Sequence, residues 1–149
     1  MHAWQHARSR QRIHDAMLQH LREYEQIQWE RACVDSASVP SPLGGQHTGP
    51  NPIDRGKLGC KHHLLVDQRG LPLVASMSGA QIHDSRMLIP RLEAVPSVAG
   101  LVGHLRKRPA KLHADKAYAS RAHRTWLRSC GIAPRIARYG IEPRERLGK

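Results

Sequence analysis

The sequence predicts a mixed α/β sheet with flanking helices, and three observations lead there. An early stretch has helical periodicity, β-rich runs including a clear hairpin follow it, and helices then alternate with strands toward the end. The 149 residues fit one domain, of a size that buries roughly two thirds of its unfolded surface.

Taken in order, residues 9–28 place Ile13, Met17, Leu21 and Tyr24 on one face at helical spacing, which predicts an amphipathic helix. "ACVDSASV" then turns β-rich, and the twenty residues after Val39 hold four Pro and five Gly, a composition that predicts a long irregular loop. "KHHLLVDQRGLPLVASMSG" reads as a hairpin with strands over about 62–67 and 71–78, turning at Gln68-Arg69-Gly70. Asp84 or Ser85 can cap a helix running to about Val95, with Pro90 predicting a kink or a late start. A basic Gly-containing loop precedes the strand "KLHAD", Ser120 caps a helix that Gly131 stops, and "IAPRIA" is a last strand. From Arg138 onward the chain is polar, basic and aperiodic, and there is no internal repeat.

Charge narrows the function classes. Lys and Arg number 24 against 12 Asp and Glu, leaving +12 and a pI near 10.6. Such a balance favours a polyanionic partner, and nucleic acid fits better than membrane because no apolar run approaches ~18 residues. The three cysteines are odd in number and widely spaced, without a C-x-x-C pair. They imply a reducing cytoplasm, and the N-terminus has no apolar signal-peptide core.

Asp35 raises the chemical question. It lies in "CVDSASV", among Cys33, Val34, Ala37 and Val39, which read as a buried strand, and a lone carboxylate in apolar surroundings is costly. Asp115 ends a second strand-like segment in the same way, and strand termini in open α/β sheets converge outside the sheet. Two neighbouring carboxylates repel unless a cation joins them, and magnesium suits hard oxygen ligands while keeping positions for water and phosphate. Local alternatives exist: Asp35 can accept from Ser36 or Ser38, and Asp115 can cap a turn or pair with Lys116. Asp54, Asp67 and Asp84 fit turn and cap chemistry. His62 and His63 are strand neighbours pointing to opposite faces, which disfavours a shared zinc ion and reads as half-exposed strand residues. Basic runs at "DRGKLGCK", "HLRKRPAK" and the tail from Arg135 to Lys149 suit phosphate contact or plain solvation.

"VDSASV", "GGQHTGPNPIDRGKLGCKHHLLVDQRGLPL", "SGAQIHDSRMLIPRL" and "KLHADKAYAS", in this order, resemble bacterial insertion-sequence DDE transposases of the insertion-sequence-five type. The resemblance runs from about Arg31 to Lys149. It implies a ribonuclease-H-like fold, with residues 1–30 a helical segment and 31–149 a partial catalytic domain. It implies that Asp35 and Asp115 are two members of an acidic triad holding Mg2+ or Mn2+ for DNA strand cleavage and transfer. Lys57, Lys61, Arg106, Lys107 and Arg108 become candidates for double-stranded DNA contact, and His83 and Asp84 are expected near the site. Arg121, His123 and Arg124 either touch DNA or face solvent. The family's third carboxylate, a Glu in a Trp-x-x-Glu-Arg helix, is expected after a segment like "GIEPRERLGK"; Glu142 and Glu145 precede that position. The expected protein is therefore a C-terminally truncated or split-frame transposase, nucleoid-associated and not in a membrane, assembling with itself or with a full-length transposase. The alternative is a non-catalytic DNA-binding remnant.

Overall fold

The computed structural model describes residues 9–24, 26–96 and 108–138. Helix α1 (Ser9–Glu23) leads to strands β1 (Arg31–Pro40), β2 (Gly49–Pro50), β3 (Leu58–Asp67) and β4 (Pro72–Gly79). A 3-10 turn (Asp84–Met87), α2 (Leu88–Glu93), β5 (Lys111–Ala114), a second 3-10 turn (Lys116–Tyr118), α3 (Arg121–Ser129) and β6 (Ala133–Ile136) complete it.

The strands form one mixed sheet. β1, β3 and β4 are antiparallel neighbours, whereas β5 pairs parallel to β1 and β6 parallel to β5. The order β4-β3-β1-β5-β6 puts β1 at the centre, with the short β2 in line with β4 along the same edge of β3. This is the ribonuclease-H-like arrangement that the resemblance implies.

Alternation along the strands divides the sheet into a covered and an open face. Ala32, Val34, Leu65, Leu112 and Ile136 are buried with Leu88 and Leu92 of α2 and Leu127 of α3. On the opposite face Asp35, Ala37, His62 and Ala75 are exposed, and Val39, Leu64 and Met77 remain 40%, 41% and 45% accessible. The expected buried strand around Asp35 is thus half right: β1 is buried on one face only, and Asp35 stands on the other.

Several boundaries differ from expectation for local reasons. α1 ends at Glu23 because the chain must turn to deliver Ile27 to the core and the Gln28 N–H to the Asp67 carboxylate, 2.9 Å away. Its packed residue is Leu18, while the expected face is largely in water, with Ile13, Met17 and Tyr24 more than half exposed and only Leu21 partly buried. The Pro- and Gly-rich stretch after β1 holds a two-residue strand, since Gly49 and Pro50 pair with Gly59 and Leu58. β3 starts four residues earlier than predicted. His83, rather than Asp84 or Ser85, caps the first 3-10 turn, its Nδ1 accepting from the Ser85 N–H, and Pro90 falls in the first turn of α2, where no helical N–H is lost. Ser120 and Gly131 act as read: the Ser120 hydroxyl accepts from the His123 N–H and Gly131 turns at φ 74°.

Candidate active site

The parallel ladder between β1 and β5 sets the two aspartates at matching positions on neighbouring segments. Arg31, Ala32 and Cys33 pair with Lys111, Leu112 and His113, each partner lying 80 positions later. Asp115 is also 80 positions after Asp35, so both sit two residues past the last pair, at matching places beside the C-terminal end of β5. Asp35 shares the open face with Cys33, and the extended backbone of Asp115 (φ −73°, ψ −178°) continues the alternation from His113. Both carboxylates therefore leave the same face.

Each is also braced locally. Asp35 Oδ1 accepts from the Ser36 N–H at 2.8 Å, and Asp115 Oδ1 accepts from the Ala117 N–H at 3.0 Å, capping the second 3-10 turn. These are the turn-type bonds that local chemistry suggests, and they leave a second oxygen on each exposed carboxylate. Both residues are solvent-exposed. Asp35 is consequently no costly buried charge.

Behind the pair, on the covered face, lies a polar cluster that the sequence reading missed. Arg91 is 1% exposed, and its guanidinium donates to Met87 O at 3.1 Å, Asp35 O at 3.4 Å and His63 Nδ1 at 3.0 Å. Because Arg has no acceptor, His63 must carry its proton on Nε2, which donates to Ser78 Oγ at 2.7 Å. Burial, then the Arg91 charge, lowers the His63 pKa from 6.5 to about 4. Of the adjacent histidines only His62 is exposed; His63 is buried, not half-exposed as expected.

The cluster continues toward the expected His83–Asp84 region. Lys61 Nζ lies 3.0 Å from Asp84 Oδ1 and donates to Ile82 O at 2.9 Å. Burial would raise the Asp84 carboxyl, but hydrogen bonds from Lys61 and Ser36 outweigh it and hold the group below its ordinary value. Tyr118, buried in the core beside Asp115's turn, has its hydroxyl pushed up by burial against the opposing influence of Arg91 and Ser36. The Arg91 guanidinium sits 6.0 Å from the Tyr118 ring centroid, at the limit of a cation–π contact. Polar residues at inward-facing strand positions, Ser36, Lys61, His63 and Ser78, were the available signal. Alternation around them could have revealed it.

The basic candidates separate. Lys57 is exposed, with only a loose 3.8 Å contact to Asp54, whereas Lys61 is 13% exposed and held by Asp84 and Ile82, so it is not presented to a ligand. Arg108 is exposed and reaches Cys130 O at 3.5 Å; Arg106, Lys107, Glu142 and Glu145 lie outside the described residues. Arg124 ties α3 to β6 through Ile136 O at 2.6 Å, His123 bonds Tyr118 O at 3.1 Å, and Arg121 is exposed. His113, on the open face beside the acids, is held below its ordinary value by burial and by Arg31, Arg135 and Lys111. Among the described residues no cluster of three or more His, Cys, Asp or Glu forms a metal cage, all three cysteines are free, and no helix is long and apolar enough to cross a membrane.

The sheet order is that of a mixed α/β fold, and sequence comparison gives the family. Residues 30–144 match the transposase DDE domain, and the chain belongs to that family. Over 106 residues it is 44% identical to a protein named as a transposase for insertion sequence element IS402 in Burkholderia cepacia, covering 71% of this chain and 50% of the relative. The chain thus spans about half the length of that curated relative. Similar solved structures include the Mos1 strand transfer complex (TM-score 0.48, 14% identity, 85% of this chain and 40% of that one). The catalytic domain of Mos1 mariner transposase is another (TM-score 0.42, 10% identity, 89% and 61%).

Proposed function

We propose that the chain carries catalytic residues of an insertion-sequence transposase, cutting and joining double-stranded DNA with Mg2+ or Mn2+ held by Asp35 and Asp115. The observation that supports this most is the shared register of the two aspartates on the open face beside β1 and β5. Two exposed carboxylates match the one or two that Mg2+ ordinarily takes beside water and phosphate oxygens. Bound there, the ion would activate water and stabilise the leaving oxygen of a phosphodiester. The protein's own part is positional: Arg91 fixes the backbone at Asp35, Ser36 N–H and Ala117 N–H orient the carboxylates, and Lys57 with Arg106, Lys107 and Arg108 supply phosphate contacts. In this reading residues 31–149 form the catalytic unit, 1–30 a helical segment ahead of it, and the protein works at the nucleoid as an oligomer of its own or with a longer transposase.

A second reading, a DNA binder that makes no cuts, is favoured by one observation: no third acid joins Asp35 and Asp115 among the described residues. Incubation of the 149-residue chain with duplexes carrying the element's terminal repeats separates the two. Catalysis predicts Mg2+-dependent nicking that disappears in both Asp35→Ala and Asp115→Ala. The second reading predicts salt-sensitive binding, no nicking, and affinity unchanged by either substitution.

A further inference from the structure

Residues 41–57, between β1 and β3, hold the two most exposed large apolar side chains among the described residues, Leu43 at 99% and Ile53 at 88%. Single exposed aliphatics are common on protein surfaces and usually carry no meaning. These two are unusual in being held out by hydrogen-bonded turns. The Gly44 N–H donates to Ser41 O at 2.9 Å beneath Leu43.

Ile53 is more firmly held. Asn51, 7% exposed, accepts from the Ile53 N–H through its side chain at 3.1 Å, donates its N–H to Lys57 O at 2.8 Å, and accepts at its carbonyl from the Asp54 and Gly56 N–H groups at 3.2 and 2.9 Å. Arg55 completes the turn at φ 49°, a conformation uncommon outside glycine, before Gly56 at φ 76°. The outcome is a rigid tip with one aliphatic side chain in water, exposed Arg55 and Lys57 beside it, and a weak 3.8 Å Asp54–Lys57 contact that a phosphate could replace.

The tip stands at the end of β1 that lies beyond Asp35. Pro40 lies five positions along the strand from Asp35, or about 17 Å at roughly 3.3 Å per residue. A duplex held at the two acids and lying along β1 would reach this loop within one helical turn, which is about 34 Å. Aliphatic side chains flanked by Arg and Lys are the type that enters a base step and unstacks it while phosphate contacts hold the flanks.

We infer that the β1–β3 loop grips and deforms double-stranded DNA, with Ile53 wedged at a base step and Arg55 and Lys57 on neighbouring phosphates. The inference rests on the DNA reading above and adds the manner of engagement. It is tested by comparing affinity for a fully paired duplex of about three helical turns with affinity for the same duplex carrying a central mismatch. A mismatch lowers the cost of unstacking and so favours a wedge, but leaves phosphate contacts unchanged.

The wild-type chain should prefer the mismatched duplex about tenfold, and Ile53→Ser should abolish the preference while leaving the salt dependence intact. Arg55→Ala and Lys57→Ala should weaken both duplexes equally. Since Ile53 is almost wholly solvated, Ile53→Ser leaves the fold unchanged, which circular dichroism verifies. Salt-sensitive binding with a preference unaltered by Ile53→Ser overturns the wedge and spares the DNA reading; absence of salt-sensitive binding overturns both. A change in sedimenting mass on Ile53→Ser without DNA makes the tip a protein contact and also overturns the inference.

Discussion

Arg91 divides one buried guanidinium among a helix carbonyl, the Asp35 carbonyl and the His63 ring, and the ring passes the polarity on to Ser78. The arrangement works only with neutral His63, which gives it a pH signature. In the folded protein His63 takes a proton near pH 4, and when unfolded near 6.5, so between these values the unfolded chain binds more protons. Stability is expected to be full above about pH 6.5 and to fall as pH drops toward 4, by on the order of 3 kcal/mol from this group; Asp84, held low, acts in the same direction at lower pH. Urea denaturation at a series of pH values checks this, and His63→Gln should flatten the slope between 4 and 6.5. Asp67 offers a second case. It is 2% exposed and accepts from the Gln28, Arg69 and Leu71 N–H groups, so Asp67→Ala should cost about 3 kcal/mol by the same measurement, leaving three donors without their partner. The turn role of Asp67 was legible from the adjacent Arg69-Gly70. Its bond to Gln28 was not, because nothing local links positions 39 residues apart.

Among the elements, α3 was readable almost to the residue because its start and stop signals are both local: a serine before the first turn and a glycine after the last. Ser120→Ala should lower stability by about 1 kcal/mol in thermal or urea unfolding. α1 misled for the opposite reason. Its periodicity offered Ile13, Met17 and Tyr24, yet packing chose Leu18 and bonded His14 to Pro72 O at 2.9 Å, a decision made by where β4 lies. β1 shows the same limit. Alternation identified a strand, but only its neighbours determine that Val34 faces the core and that Asp35 shares the open face with Leu64 and Met77.

For the whole molecule, net charge was the plainest signal, and its consequence can be measured. With +12 over 149 residues, DNA affinity should fall steeply with salt on a log–log plot. Lys57→Ala should reduce that slope by about one, whereas Lys61→Ala should act mainly on stability, since its ammonium is held by Asp84. That Asp35 and Asp115 could meet was legible as a possibility from two similar strand ends, and the β1–β5 register adds that they stand at matching positions past the ladder. Because side chains on a strand alternate in twos, changes of length should meet this chain unequally. Residues added to the loop between β1 and β3 leave the ladder intact, whereas one residue added between Lys111 and Asp115 would send the second carboxylate toward the core. In a lineage of such sequences, gaps should be absent from the five positions ending at Asp115, whatever the side chains around them become.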